Sequence, residues 1–171
     1  VNDLANQVAD SGGVMLVPAF TGWGTPHWNP EARGILVGLT RDSNRCHIAR
    51  AALEGIALSV STLVDLAEQA LGHGLGELAV DGGAAASDPL LQAQANSTGL
   101  TVRRPASLES TARGVALFAG LQAGVIKDLN DLAVHRRDGA ELFQPKLDAA
   151  QRKAWRTRWD DAVTRSLNWH G

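Results

Sequence analysis

Apolar residues recur every three or four positions between Asn44 and Leu71, and this period predicts one long helix. Asn44 is a suitable N-cap, and Gly72 begins a glycine-rich turn that is a suitable stop. The apolar positions that follow this spacing are Ile48, Ala52, Ile56, Val60, Leu63, Val64 and Ala67. The sequence therefore predicts an amphipathic helix whose stripe of these residues faces the core.

Short apolar runs predict strands on both sides of this helix. Runs at residues 14–17 and 34–39 precede it, and runs at 78–80 and 101–103 follow it. Asp88 as N-cap and Pro89 in the first turn predict a helix that reaches Thr98. Thr111 is expected to cap a further helix through residue 123, whose small residues would pack closely on a sheet.

The two ends of the chain also carry helical patterns. Residues 1–10 have apolar positions at helical spacing and stop at two glycines. Asp148, with Gln151 three residues later, predicts a capping box. The next helix places apolar residues four apart, so that it is expected to dock on the domain through Trp155, Trp159, Val163 and Leu167.

The alternation of these elements favours one α/β domain with a partly parallel sheet. The expected division of residues 1–171 is a lead-in helix within 1–13, an α/β core over 14–124 and a C-terminal helix over 148–168. Only about four strands are visible, fewer than in a typical sheet, so part of the sheet is expected to precede residue 1. The missing initial methionine agrees with a fragment.

Composition excludes several classes of function. The 171 residues carry a net charge of −2, which does not favour a nucleic-acid partner. Cys46 is the sole cysteine, so no disulfide forms within the chain, in keeping with a cytoplasmic location. No apolar run is long enough for a membrane span. The five histidines, at positions 27, 47, 73, 135 and 170, lack the spacing of a zinc site.

The segment with the clearest chemical potential is the loop at residues 81–89. A predicted strand leads into Gly82 and Gly83, and Ala84 to Ser87 lead into a helix. Glycine lets a ligand approach the backbone, and a helix start offers free N–H groups. Such a loop suits the ribose or phosphate of a nucleotide, but a plain tight turn has the same pattern.

Two further segments connect this loop with a known family. Residues 17–34, which include Phe20-Thr21-Gly22-Trp23-Gly24-Thr25-Pro26, closely resemble a loop characteristic of glycerol kinases. Residues 34–39 and 47–54 are similar to the C-terminal signature of the wider carbohydrate kinase family, which includes xylulose, ribulose and fuculose kinases. Residues 81–84 are similar to that family's adenosine motif. The three blocks follow the family's order, and the resemblance extends over nearly the whole chain.

The resemblance implies a ribonuclease-H-like domain of the actin-like ATPase superfamily. ATP would lie in a cleft between this domain and the enzyme's own N-terminal domain. It implies that the loop Gly82, Gly83, Ala84 and Ser87 binds ATP, with direct contacts from Gly83 and Ser87. Many glycerol kinases have asparagine at the position of Ser87. The catalytic base, the Mg²⁺-linked acidic groups and the glycerol contacts would precede residue 1, so no catalytic or metal-binding residue is expected here.

Most other polar residues are expected to be structural. Asp81 is expected to hold the glycine turn through backbone hydrogen bonds, and Glu54 to bond neighbouring loop backbone. Arg33 would brace the loop before it, and His47 would act as a structural donor near a helix start. Arg103 and Arg104 are interpreted as a solvated strand end.

The resemblance implies that the chain is part of an ATP-dependent kinase that converts glycerol to sn-glycerol 3-phosphate. The enzyme would use ATP and Mg²⁺ and form a homo-oligomer. The alternatives are a kinase of the same family that acts on a pentulose or another polyol, and a non-catalytic module that binds a nucleotide or a partner.

Overall fold

The computed structural model describes residues 1–128, 130–131 and 139–169. His135 and His170 lie outside the described residues. The elements in chain order are α1 (Asn2–Ala5), β1 (Met15–Val17), β2 (Ile35–Val37), α2 (Arg45–Leu71), β3 (Glu77–Ala79), a 3-10 turn (Gly83–Ala86), α3 (Asp88–Thr98), β4 (Thr101–Pro105), α4 (Ser110–Gln122), β5 (Ala140–Phe143) and α5 (Ala149–Ser166).

The strands form two small sheets. β1 and β2 are antiparallel, with Leu16 opposite Leu36. β3 and β4 are parallel and joined through α3, and β5 is antiparallel to β4. The predicted α/β class with a partly parallel sheet is therefore confirmed.

Helices α2 and α3 pack side by side and connect three hydrophobic clusters. Between them lie Ala49, Leu53, Ala57, Leu90 and Ala93, with Ala5 of α1. The opposite side of α3 covers the β3–β4–β5 sheet through Leu91, Ala95, Val102 and Phe143. A third cluster joins α5 to α2 and the β1–β2 hairpin through Met15, Val17, Leu58, Trp159 and Val163. The predicted docking of α5 through its tryptophan face is confirmed.

Both ends of α2 agree with the prediction. The Asn44 side chain accepts a hydrogen bond from the Cys46 N–H at 2.8 Å and caps the helix together with His47. Gly72 ends it in the left-handed conformation. The length and apolar composition of α2 would suffice for a membrane span, yet half of its most apolar stretch is buried inside the structure, as in a core helix.

The predicted core face of α2 is wrong. Of the expected stripe, Val64 is buried, whereas Ile48, Ile56 and Leu63 are exposed. The buried residues are mostly smaller ones, Cys46, Ala49, Ala51, Leu53, Glu54, Gly55, Ala57, Leu58, Ser61 and Val64. A Cβ atom on Gly55 would collide with the Leu16 carbonyl oxygen, so the small face is where β1 approaches the helix backbone.

Three helices differ from the prediction at their ends. α1 has only four residues, Asn2–Ala5, where helical spacing was expected over residues 1–10, and the Gly12 N–H donates to the Asp10 side chain in the turn that follows. Ser87, not Asp88, caps α3. α4 begins one residue before Thr111, and its N-cap Glu109 makes no side-chain capping bond.

Two further differences concern α4 and β5. None of the described residues of α4 is buried, so the expected close packing on a sheet is absent from the described part of the chain. β5 was not predicted, because its apolar residues are only Leu142 and Phe143 at its end, after Ala140 and Glu141.

Candidate functional site

The loop between β3 and α3 is fixed at both sides by backbone hydrogen bonds. The Val80 N–H donates to Arg103 of β4 at 3.0 Å, and the Gly82 N–H donates to the Leu108 carbonyl at 2.9 Å. Ser87 donates its N–H to the Ala84 carbonyl at 3.1 Å and closes the 3-10 turn. The loop therefore has a defined position next to the segment that follows β4.

The two glycines are required for different reasons. Gly82 has φ +80° and ψ 178°, a conformation that is essentially restricted to glycine. Gly83 does not have a left-handed φ, and a Cβ atom at that position would meet no atom of the chain within 4 Å. The backbone at Gly82 thus demands glycine, whereas the space beside Gly83 is open to a ligand.

Two backbone donors face this open space. The N–H groups of Gly83 and Ala84 begin the 3-10 turn and donate to no acceptor in the part of the chain that the structure describes. Both residues are exposed. A polar ligand placed here would accept hydrogen bonds that the turn leaves unused.

Ser87 differs from the other three predicted site residues. It is only 8% exposed, and its hydroxyl donates to the Asn2 side-chain oxygen at 2.7 Å. The Ser87 hydroxyl oxygen also accepts a hydrogen bond from the Leu90 N–H at 3.4 Å and so caps α3. The structure therefore brings Gly82, Gly83 and Ala84 together at an open surface and directs the Ser87 hydroxyl into the protein.

Arg104 connects the loop with the sheet, so its interpretation as a solvated strand end is wrong. Its guanidinium donates to the Ala85 carbonyl at 3.0 Å, to Asp88 at 2.7 Å and to Glu141 of β5. It also lies 5.1 Å above the Phe143 ring centroid. The hydrogen bonds that Arg104 donates, first to Glu141 and then to Asp88, raise the pKa of Arg104 above its usual range. This side chain holds the turn against β4 and β5.

The charges around the loop favour the nucleoside over the phosphates. The cation of Arg104 is offset by Asp88 and Glu141. The Asp81 side chain is exposed and makes no hydrogen bond within the described residues, so its expected role in holding the turn is wrong. Backbone N–H groups close to the Asp81 carboxylate, which has no partner among the described residues, suit neutral ribose and base groups better than an anion.

Replacing Arg104 by alanine is expected to lower the stability of the protein by about 1–2 kcal/mol, because three charge-assisted or backbone bonds are lost at a partly exposed site. The matched control is Arg103→Ala, which removes a more exposed pair with Glu77. Thermal unfolding of both variants gives the comparison. Equal melting temperatures for the two would show that Arg104 does not hold the loop.

The remaining polar residues have structural partners. Glu54 is 5% exposed and pairs with Arg50 at 2.7 Å, where loop backbone was expected. Arg33 braces the preceding loop by donating to the Pro30 and Ala32 carbonyls, each at 2.8 Å, as predicted. His47 caps α2 as an acceptor of the Asn44 N–H, where a donor was expected.

The loop at residues 21–30 is ordered, as expected, and is anchored to α5. The Trp23 indole N–H donates to the Ser166 hydroxyl at 3.0 Å, and its ring meets Trp159 edge-on. Asn29 donates to the Asn168 side chain at 2.7 Å. Trp28 is exposed and has φ +47°, an uncommon conformation for a bulky residue.

Two of the concave regions on the described surface bear on the position of a ligand. A cleft of about 630 Å³ between α2, α3 and α5 includes Arg50, Trp155 and Arg158 but no residue of the glycine loop. An open groove of about 480 Å³ includes Arg104 and Leu108, both bonded to the loop. The described residues contain no cluster of three His, Cys, Asp or Glu side chains able to hold a metal ion.

Sequence reasoning identified the glycines but missed the two residues that position them. Leu108 acts through its carbonyl group, which no side-chain pattern reveals. Arg104 acts through partners that lie 16 and 37 residues away. An arginine in the strand that follows the glycine turn and its helix is the one signal that could have pointed to it.

The chain matches a known protein family and is similar to several curated proteins. Residues 1–123 match the model of the "FGGY family of carbohydrate kinases, C-terminal domain". The chain is 48% identical to the glycerol kinase of Rhodopirellula baltica over 99% of its length, and 48% identical to that of Dechloromonas aromatica. It spans about a third of these curated relatives, 31% and 34% of their lengths.

Solved structures agree with these relatives. The structure of Plasmodium falciparum glycerol kinase with ADP is 32% identical, has a TM-score of 0.86 and is matched over 97% of this chain and 33% of its own. The xylulose kinase from Rhodospirillum rubrum is 25% identical, with a TM-score of 0.71 over 96% of this chain and 32% of its own. Similarity is therefore greater to the glycerol kinase than to this xylulose kinase.

Proposed function

The chain belongs to the FGGY family of carbohydrate kinases, and from that premise we propose that it is part of an ATP-dependent glycerol kinase. The intact enzyme would transfer the γ-phosphoryl group of ATP to glycerol and release sn-glycerol 3-phosphate and ADP. The observation that carries this proposal is the 48% identity to glycerol kinases over 99% of the chain. The reaction belongs to the whole enzyme, of which this chain would supply one domain.

Within that enzyme, the glycine loop would form one wall of the ATP cleft. The free N–H groups of Gly83 and Ala84 would donate to the nucleoside, and Gly82 would hold the turn in a conformation that lets the nucleoside approach. Arg104 would keep the turn against the sheet. The adenine contact that the resemblance implies for Ser87 would require its hydroxyl to leave Asn2.

The catalytic groups would lie in the part of the enzyme that precedes this chain. Mg²⁺, when bound with ATP, neutralises charge on the transferred phosphoryl group. The carboxylates near the loop do not fit that ion, because Asp88 is paired with Arg104 and no second carboxylate joins Asp81 among the described residues. The ion would therefore be held mainly outside this chain.

We also propose a fold for this domain and an assembly for the intact enzyme. The described α/β unit would be a ribonuclease-H-like domain of the actin-like ATPase superfamily, with residues 1–13 as a lead-in, 14–124 as the core and 148–168 as the C-terminal helix. Its partner across the cleft would be the enzyme's own N-terminal domain. The enzyme would be cytoplasmic and homo-oligomeric.

A kinase of the same family that acts on a pentulose or another polyol is the second candidate. The family match alone does not exclude it, but among the solved structures the Plasmodium falciparum glycerol kinase is 32% identical to the chain and the Rhodospirillum rubrum xylulose kinase 25%. A non-catalytic nucleotide-binding or partner-binding module is the third. It would require the glycine loop to function without a neighbouring catalytic domain.

A polyol panel tests the proposed substrate. The full-length enzyme is assayed with ATP and with glycerol, xylulose, ribulose and fuculose at equal concentrations. We expect kcat/KM for glycerol to exceed that for each ketose by at least about a hundredfold, because a site that bonds substrate hydroxyls rejects poorly matching substrates strongly. A ketose preferred over glycerol would make the second candidate correct, and no turnover with any substrate would favour the third.

The isolated chain is expected to have no kinase activity, because the glycine loop provides only nucleotide contacts. The measurement is ADP release from the pure chain with glycerol and ATP, in a coupled assay. The full-length enzyme at the same molar concentration is the positive control. Turnover above background from the isolated chain would contradict the assignment of roles.

Replacing Ser87 by alanine in the full-length enzyme is expected to lower stability by about 1 kcal/mol through loss of the α3 cap. Affinity for ADP should change less than about twofold, because the hydroxyl faces Asn2 and the helix. Thermal unfolding and calorimetric titration with ADP give the two numbers. A tenfold loss of ADP affinity at unchanged stability would instead assign Ser87 to the adenine contact.

A further inference from the structure

The cleft between α2, α3 and α5 is separate from the glycine loop and has no role in the proposed reaction. Its volume is about 630 Å³, which lies within the usual range of small-molecule sites. Three of the residues that line it, Ala9, Ala93 and Ala154, have short side chains that leave the space open. The cleft is therefore large enough for a small metabolite.

Glu54 brings a buried carboxylate to this cleft. Its side chain is almost fully buried, and its Oε1 accepts a hydrogen bond from Arg50 Nε at 2.7 Å. Its Oε2 accepts none within the described residues, yet it is not sealed from solvent as Gln94 Oε1 is. Because Glu54 lines the cleft, this oxygen faces the open space. A buried carboxylate is costly unless its remaining lone pairs are also bonded, so Oε2 requires a further donor.

Two guanidinium groups line the same space. Arg50 uses only its Nε on Glu54, and its two terminal nitrogens donate to no acceptor in the part of the chain that the structure describes. Arg158 of α5 is exposed, lies close to Gly13 and has no carboxylate partner there. The planar fork of an arginine matches the two oxygens of a carboxylate. The cleft therefore offers cationic donors that Glu54 does not use.

The charges of the cleft favour a ligand that is neutral overall. Its charged residues are Arg50 and Arg158, with Glu54 and Asp10 of opposite sign. Asp10 already accepts the Gly12 N–H at 2.7 Å, so Glu54 is the acceptor that remains open. A polyanion would be repelled by the two carboxylates, whereas a zwitterion satisfies both signs.

Trp155 and Leu147 add apolar surface to the cleft. Trp155 is half-buried and packs against two hydrophobic clusters, so its ring is held in place. Few precisely placed polar groups beside an apolar wall are typical of a site for a small organic molecule.

We propose that this cleft binds a small apolar α-amino acid in its zwitterionic form. The carboxylate of the ligand accepts hydrogen bonds from Arg50 and Arg158, and its ammonium group donates to Glu54 Oε2. Its side chain lies against Trp155 and Leu147. The proposal goes beyond the proposed kinase reaction and does not depend on it, because no residue of the glycine loop lines the cleft.

Calorimetric titration of the full-length enzyme with L-leucine tests the site. Two matched compounds, 4-methylpentanoate and 3-methylbutylamine, lack the ammonium group and the carboxylate respectively. We expect a Kd of about 1 mM or tighter for leucine and at least about tenfold weaker binding of each analogue, because each loses one charged contact. Equal affinity for 4-methylpentanoate would reveal a plain anion site and overturn the proposal. Absence of leucine binding up to about 10 mM would mean that water alone fills the cleft, and would overturn it too.

Arg158→Gln locates the binding site without disturbing the core. Arg158 is exposed, so the melting temperature should stay within about 1 °C, while leucine affinity falls at least about tenfold. Lys153→Gln is the control, because it makes the same charge change on α5 outside the cleft. Its leucine affinity should stay within about twofold. Equal affinities of the two variants for leucine would contradict the assignment of the site.

Glu54→Gln tests the ammonium contact. The amide can still accept from Arg50, and we expect a loss of leucine affinity of at least about tenfold with no comparable loss for 4-methylpentanoate. Unchanged leucine affinity in a folded Glu54→Gln enzyme would overturn the proposal.

Titration of leucine at saturating ADP separates this site from the nucleotide site. We expect the Kd for leucine to stay within about threefold, because the two ligands contact different residues. Displacement of leucine by ADP would place the amino acid at the nucleotide site and overturn the proposal. An enzyme that binds leucine through Arg158 but does not bind ADP would confirm this site and contradict the proposed kinase function alone.

Discussion

Replacing Gly83 by valine in the full-length enzyme is expected to raise the KM for ATP at least about tenfold and to leave the KM for glycerol within about twofold. The Cβ atom of residue 83 meets no atom of the chain, so the fold can accept the substitution. The branched side chain instead occupies the space beside the free N–H groups of Gly83 and Ala84. Steady-state kinetics with each substrate varied in turn measures both constants.

Gly76→Val is the matched control for this substitution. Gly76 precedes β3, does not have a left-handed φ and likewise has open space at the Cβ position. Valine at this position is expected to change neither KM value. Equal rises in both KM values for Gly83→Val, in a protein that melts normally, would show that the glycine loop does not face the nucleotide.

Gly55→Ala is expected to destabilise the protein by about 3 kcal/mol or more, despite the better helix propensity of alanine. The added methyl group would collide with the Leu16 carbonyl oxygen, where β1 crosses α2. Backbone atoms cannot move aside as a flexible side chain can, so the strand and helix must separate. Thermal unfolding of the full-length enzyme, with soluble yield as a second readout, measures the effect.

Gly114→Ala is the control that separates the collision with Leu16 from the helix propensity of alanine. Gly114 also lies within a helix, and a methyl group there meets no atom within 4 Å. It is expected to be neutral or to stabilise by up to about 1 kcal/mol. If Gly55→Ala melts as high as Gly114→Ala, the close approach of β1 and α2 does not exist as described.

The ends of α2 could be predicted because local chemistry determines them. Asn44 and Gly72 bond the backbone within a few residues, so a sequence window contains the necessary information. The buried face could not be predicted in the same way. Both faces of α2 carry large apolar residues, so the helical period of 3.6 residues does not show which face is buried. Close approach of β1 selects the small-residue face, and that contact is 39 residues distant in sequence, between Leu16 and Gly55.

The candidate site shows the same division. The glycines at 82 and 83 follow from the local need for an unusual backbone and open space. The role of Arg104 depends on Asp88 and Glu141, which only the folded sheet brings together. Ser87 was assigned to the ligand by resemblance, but contact with Asn2, 85 residues away in sequence, directs its hydroxyl inward. The roles of Arg104 and Ser87 therefore depend on residues that are distant in sequence, and a local sequence pattern does not contain that information.

The most direct test of whether the glycine loop lines the ATP cleft is hydrogen exchange of the full-length enzyme with and without saturating ADP. The nucleotide is expected to slow exchange at the amides of Gly83 and Ala84 by at least about tenfold, because these free donors bond the bound nucleoside. The cleft near Trp155 should not change. Protection in that cleft with no change at residues 82–87 would contradict the account and move the nucleotide site away from the glycine loop.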